Sequence, residues 1–169
     1  MGAHYLLCLP WVMLALLICM VVHEFGHFTA LKALGVRVET FTVGTGRLLL
    51  MIITGRGSAL YLRRAPIVAH IMQDQLQFRR LANYKKIIVF TAGPIFDFAL
   101  AFLVLSFLIH YNSSSIPIDF PFVSLEVLAV NNGLNLLVLI MTISFWAGIL
   151  NLFPFMKSDG MQIANLKSK

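Results

Sequence analysis

The sequence predicts a mainly α, polytopic membrane protein: a core of three transmembrane helices with a membrane-associated β-hairpin between the first and the second. Three observations carry that expectation. Of 169 residues only 12% are charged while 59% are hydrophobic, and the mean hydropathy is +0.86; a soluble domain carries about 25% charge. The apolar residues fall in three runs, each long enough to cross about 30 Å of hydrocarbon as a helix. Between the first two runs the pattern changes to β-branched alternation.

The first span, about residues 5–34, is uncharged from Tyr5 to Val22. It lacks the basic n-region and small-residue cleavage site of a signal peptide, so it is read as retained. Cys8 and Cys19 both lie in it and are expected to be apolar packing residues, with no disulfide or metal role. Gly35 is expected to end this helix. Val36–Val43 then alternates as a strand does, Gly44-Thr45-Gly46 is expected to break it, and Leu48–Thr54 with Ser58–Leu62 flank Gly55-Arg56-Gly57 as a hairpin turn. The whole β region covers about residues 36–65. Its apolar arms should pack on the helices or line a wet cavity, because open strand edges are not tolerated facing lipid.

Gln73–Lys86 is polar and basic and reads as a surface helix leading into the second span, about 87–110, which is apolar apart from Asp97. Asn112–Pro117 reads as an external loop and Phe120–Val130 as an interfacial segment. The third span is expected over about 134–156. With three spans in the chain, residues 1–169 are expected to form a single core.

The net charge of +6 is distributed by topology and is not a nucleic-acid footprint. Ten of the thirteen Lys and Arg residues lie between Lys32 and Lys86, and the other three are Lys157, Lys167 and Lys169. By the positive-inside rule that loop and the C-terminus face the cytoplasm and the N-terminus faces out. The basic pairs Arg63-Arg64, Arg79-Arg80 and Lys85-Lys86 would favour anionic headgroups of the bilayer.

Chemistry enters at His23-Glu24-Phe25-Gly26-His27, at the end of the first apolar run. Two histidines four apart on a helix lie about 40° apart around its axis, on one face, at a spacing that suits a single Zn²⁺. A glutamate beside the first can act as general base to an activated water. A catalytic zinc needs a third protein ligand. Asp159, just beyond the third span and followed by Gly160, is the best candidate, since the predicted topology puts it on the same side as the histidines. Asp97 is the other intramembrane acid, a functional candidate because burying it in lipid is costly. His70 and His110 are expected to have structural partners.

These motifs resemble the site-2 proteases, the family of intramembrane zinc metalloproteases. His23-Glu24-Phe25-Gly26-His27 is similar to the family's zinc motif. Gly35-Val36-Arg37-Val38-Glu39 and Phe41-Thr42-Val43-Gly44-Thr45-Gly46 resemble the bacterial regulator-of-sigma-E protease branch. Ala92-Gly93-Pro94-Ile95-Phe96-Asp97 is similar to an Ala-Gly-Pro-x-x-Asn motif, and Asn151-Leu152-Phe153-Pro154 through Asp159-Gly160 to an Asn-x-x-Pro…Asp-Gly motif whose aspartate is the third ligand.

The resemblance implies a zinc-dependent intramembrane endopeptidase that cleaves transmembrane segments, with one zinc ion on His23, His27 and Asp159 and Glu24 as the catalytic base. It implies substrate positioning by Asn151, against the alternative of a plain interhelical hydrogen bond, and by Asp97. An acid at that position would need its proton to donate a hydrogen bond, where the family usually has asparagine. Met156, Lys157 and Ser158 replace the usual Pro-Ala-Leu run before Asp-Gly. The expected partners are a membrane-spanning protein or peptide substrate, the lipid bilayer, and a separate adaptor protein in place of a PDZ domain, since the likeness is to a minimal, PDZ-less core. The expected location is the bacterial cytoplasmic membrane. The alternative reading is a catalytically impaired zinc-binding protein acting as a substrate-binding or regulatory module. A metal transporter would want more polar residues along the spans.

Overall fold

The structure, a computed structural model, describes residues 2–54, 57–111, 133–155 and 158–167. The expected loop at Asn112–Pro117, the segment Phe120–Val130, the turn residues Gly55 and Arg56, and Met156 and Lys157 lie outside the described residues, as does the side chain of Cys8. Three described helices contain stretches long and apolar enough to cross a membrane, Leu9–Ala33, Asn83–Tyr111 and Asn135–Leu152.

Helix α1 (Gly2–Ala33) ends where the sequence places its stop. Gly35 takes φ +76°, its N–H donates to the Lys32 carbonyl, and the Val36 N–H donates to the Leu31 carbonyl. That pair of bonds is the Schellman cap, which needs the left-handed backbone that glycine adopts without strain. The turn feeds directly into strand β1 (Val38–Ile53), which pairs antiparallel with β2 (Ala59–Gln73).

The ribbon is longer than expected. Gly44 and Gly46, expected to break the strand, carry positive φ, and β1 runs on through them with register shifts between Val43, Thr45 and Leu48. Glycines in that conformation bulge and bend a strand without ending its pairing. Strand β2 also continues past Leu62, through Pro66, to Gln73. A two-stranded ribbon has a free edge on each side, so a residue without an N–H need not break its ladder. Lys32 Nζ donates to Ser58 Oγ at 2.8 Å, and Ser58 Oγ donates to the Val38 carbonyl at 2.7 Å, which anchors the ribbon to the end of α1.

The basic surface segment forms only a short helix, α2 (Gln75–Arg80), capped by the Asp74 carboxylate accepting from the Leu76 and Gln77 amides. Helix α3 (Asn83–Tyr111) follows, then α4 (Gly133–Leu152) and a C-terminal helix α5 (Asp159–Lys167). The third helix stops at Leu152, short of the expected 156, because Pro154 disfavours helical backbone in the residue before it.

Helices α1, α3 and α4 enclose the core: Ala15 and Cys19 meet Val104 and Leu108 of α3 and Val138–Met141 of α4. In a bilayer the lipid is as apolar as these side chains, so helices associate through close packing of small residues and through hydrogen bonds. Both are present. Ser144 Oγ donates to Cys19 Sγ at 3.1 Å, tying α4 to α1. A Cβ on Gly26 would lie 2.5 Å from the Ala92 carbonyl oxygen, so α1 and α3 cross with backbone nearly touching backbone. Large apolar side chains such as Leu103, Ile109 and Leu150 remain exposed on the outer faces, as a lipid-facing surface requires.

Candidate metal centre

The close crossing of α1 and α3 brings the last turns of α1 against the middle of α3, and each histidine meets a partner there. His27 Nδ1 lies 2.8 Å from the Val89 carbonyl oxygen. A carbonyl can only accept, so Nδ1 carries the proton and Nε2 presents a lone pair. Val89 sits just before the turn that Pro94 loosens, since proline has no N–H to give the Phe90 carbonyl and its ring presses on it. His23 Nδ1 lies 2.7 Å from Asp97 Oδ2, which assigns the same tautomer to the second ring.

Both Nε2 atoms therefore point into one space, 3.1 Å apart. Two lone pairs at that distance repel unless a proton or a cation lies between them. Asp159 Oδ2 closes the group at 3.3 Å from each Nε2. It is buried and forms no hydrogen bond with a protein group. Burial works against its charge, whereas positive charge on the two imidazoles, when they are protonated, more than offsets that and holds the carboxyl below its ordinary range.

Asp159 reaches this position through a turn built by its neighbours. Ser158 Oγ donates to the Phe153 carbonyl at 2.6 Å and accepts from the Met161 amide at 3.2 Å, so it caps α5 while holding the chain back against the end of α4. A Cβ on Gly160 would lie 2.1 Å from the Leu152 carbonyl oxygen, so no other residue fits there unless the backbone shifts.

The donor set passes a metric test for zinc. Donors on a tetrahedral Zn²⁺ with arms of about 2.0–2.1 Å stand about 3.3–3.4 Å apart. The three edges here are 3.1, 3.3 and 3.3 Å. The unpartnered Asp159 oxygen and the facing lone pairs are what a cation would satisfy. Gly93 keeps the space clear, because a Cβ there would lie 2.6 Å from His27 Nε2 and 2.7 Å from His23 Nε2. Among the described residues, the group of His, Cys, Asp and Glu side chains able to hold a metal is His23, His27 and Asp159.

A cavity of about 340 Å³ opens beside this cluster, lined by His23, Glu24, His27, Asn151 and Asp159 together with Gln73 and Gln162. A second, more apolar cavity of about 260 Å³ lies toward α4, where Met20, Ile143 and Ala147 meet Asp97 and Asn151. Glu24 and Asn151 border both. Asp97 is 0% exposed and touches the donors only through His23. His70 lies in the ribbon opposite Thr42, and His110 near the C-terminal end of α3, and neither belongs to the donor group.

Four contributors escaped the sequence reading: the Val89 carbonyl, Ser158 as a cap, and the polar lining from Gln73 and Gln162. A serine directly before a helix is a legible cap. A backbone carbonyl used by a side chain leaves no trace in sequence.

Compared with known families, the chain matches Peptidase family M50 over residues 11–168. Three bacterial relatives, each bearing the name "Putative zinc metalloprotease", are similar to it. The Vibrio cholerae protein is 29% identical over 100 residues, 52% of this chain and 22% of the relative. The Campylobacter jejuni protein is 33% identical over 95 residues, 48% of this chain and 26% of the relative. The Rickettsia conorii protein is 21% identical over 112 residues, 57% of this chain and 31% of the relative. The matched stretch thus spans between 22% and 31% of those relatives' own length.

Proposed function

The chain belongs to Peptidase family M50, the membrane-embedded site-2 protease family, and on that premise we propose that it is a zinc-dependent intramembrane endopeptidase acting on transmembrane segments of proteins or peptides. The observation that carries the reading is the triangle of donors from His23, His27 and Asp159, with Glu24 lining the same cavity.

One zinc ion would be held by His23 Nε2, His27 Nε2 and the Asp159 carboxylate. Three protein ligands are the complement of a catalytic zinc site, whereas structural sites use four. When bound, zinc supplies a Lewis acid that polarises a peptide carbonyl and makes water a better nucleophile. The chain's residues do the rest. Glu24 takes the proton of the attacking water on its carboxylate and returns it to the nitrogen of the leaving amine. Asp159 contributes the one negative charge among the ligands. Asn151, on the border of both cavities, has the amide donors to hold a substrate carbonyl.

A transmembrane helix hides its amides in internal hydrogen bonds, so the substrate must unwind before attack. Strand β2 offers compensation. Ala69, Ile71 and Gln73, which share one face by their spacing, line the two cavities. An extended substrate segment laid along that ribbon would regain main-chain hydrogen bonds beside the metal centre. The charge distribution favours a cytoplasmic site with the N-terminus outside; the bacterial relatives suggest a bacterial cytoplasmic membrane, and a separate adaptor protein is proposed as a further partner.

The test is cleavage of a single-span substrate in liposomes by the wild type and by Glu24→Gln. Loss of general acid–base catalysis costs about 10²–10⁴-fold, and the variant should keep its zinc. Unchanged cleavage by the variant would sink the mechanism.

A further inference from the structure

Asp97 has no assigned task in the mechanism above, and its surroundings are unusual. It is an acid in the middle of an apolar helix, 0% exposed. Its Oδ1 atom has no hydrogen-bond partner, and its Oδ2 atom lies 2.7 Å from His23 Nδ1. A buried carboxylate is costly unless paired, and the partner it has is a donor of the metal triangle. The two histidines are thus held differently, His27 by a neutral backbone carbonyl at 2.8 Å and His23 by a carboxylate at 2.7 Å.

We propose that Asp97 is a positioning residue for the metal centre: its carboxylate holds the His23 ring with Nε2 toward His27 and Asp159. It acts on the metal through His23, without meeting the substrate. The inference rests on the reading of His23, His27 and Asp159 as ligands. A hydrogen bond to an ionised acceptor is roughly twice as strong as a neutral one. The contact therefore fixes the ring's tautomer and rotation and makes its Nε2 a better donor. The α1–α3 crossing at Gly26 makes this possible, because the close backbones let a side chain as short as aspartate reach the imidazole. Asparagine there could still accept from Nδ1 through its own Oδ1. It would give a weaker bond and would bury an amide NH₂ where Asp97 Oδ1 now has no partner.

The experiment compares full-length wild type, Asp97→Asn and Asp97→Ala in detergent, titrated with zinc against a competing chelator. Each protein is checked for folding by size exclusion and thermal melting. Loss of an outer-shell partner costs about 10–100-fold in metal affinity, so Asp97→Ala should weaken zinc by that much and Asp97→Asn by less. The absorption bands of the Co²⁺-loaded protein should shift in the same order, a readout that a merely packing role would not move. Folded variants with wild-type zinc affinity and wild-type Co²⁺ spectra would overturn the inference, and a raised KM alone would assign Asp97 to the substrate instead. Failure of the wild type to bind zinc would overturn the ligand reading itself, so the two failures are distinguishable. Should Asp97→Ala not fold, the isosteric Asp97→Asn decides by the same two measurements.

Discussion

Gly93→Ala should cost this protein its metal while leaving its fold nearly intact. A methyl carbon at position 93 would lie 2.6 Å from His27 Nε2 and 2.7 Å from both Nε2 and Cε1 of His23. Non-bonded carbon contacts settle at about 3.5 Å, so one or both rings must retreat by about 0.9 Å. Metal sites tolerate about 0.2 Å in donor distance, and the retreat exceeds that several times over. Zinc affinity should fall at least by the 10–100-fold that losing an outer-shell partner costs. Stability moves differently. Overpacking costs about 1–3 kcal/mol, and replacing a helical glycine by alanine returns about 1 kcal/mol. The net change is about 0–2 kcal/mol, small enough for the variant to be purified and compared. The assay is chelator competition on detergent-purified protein, with the thermal midpoint in metal-free buffer alongside. A Gly93→Ala protein that binds zinc as tightly as the wild type would refute the placement of the donors around Gly93. One that unfolds outright would refute the claim that the glycine serves the site more than the fold.

The turn that delivers Asp159 gives a second test. Gly160→Ala sets a Cβ 2.1 Å from the Leu152 carbonyl oxygen and 2.6 Å from its carbon. It should weaken zinc while Glu24→Gln does not, as read by zinc content after dialysis. Metal removal gives a third. Chelation of the wild type should lower its thermal midpoint, reflecting a stabilisation of about 2.7 kcal/mol when free zinc is 100 times Kd. His27→Ala should melt at one temperature with or without zinc.

What the sequence disclosed follows from what local patterns encode. The three apolar helices were legible because a bilayer demands long uncharged runs. Gly35 was legible as a stop because a helix end needs left-handed backbone. His23, Glu24 and His27 were legible because their spacing depends only on helix geometry. The bulge at Gly44-Thr45-Gly46 is not legible in the sequence, since the same residues serve to end a strand or to bulge it, and pairing with β2 decides between them. The contacts from Asp97 to His23 and from Val89 to His27 join residues 74 and 62 positions apart. No periodicity reaches that far. They exist because Gly26 lets α1 and α3 cross at backbone distance, a fact of packing and not of propensity.

The same crossing explains why the centre is expensive to leave empty. Each imidazole is locked from behind, one by a carboxylate and one by a carbonyl, so neither ring can turn its Nε2 away from the other. Asp159 is delivered to them by a turn that Ser158 and Gly160 hold rigid, with its inner oxygen unsatisfied. Two facing lone pairs and an unpaired carboxylate oxygen would repel one another. A proton can relieve one contact between the rings, whereas a divalent ion relieves all three edges at once. Outer contacts that fix the rings thus raise the free energy of the metal-free site more than that of the loaded one, and that difference appears as metal affinity. On this argument Asp97 and Val89 act on one quantity, the freedom of the histidines to relax, while Gly93 leaves the room in which the two rings stand so close. Any substitution that restores that freedom should loosen zinc before it loosens the fold.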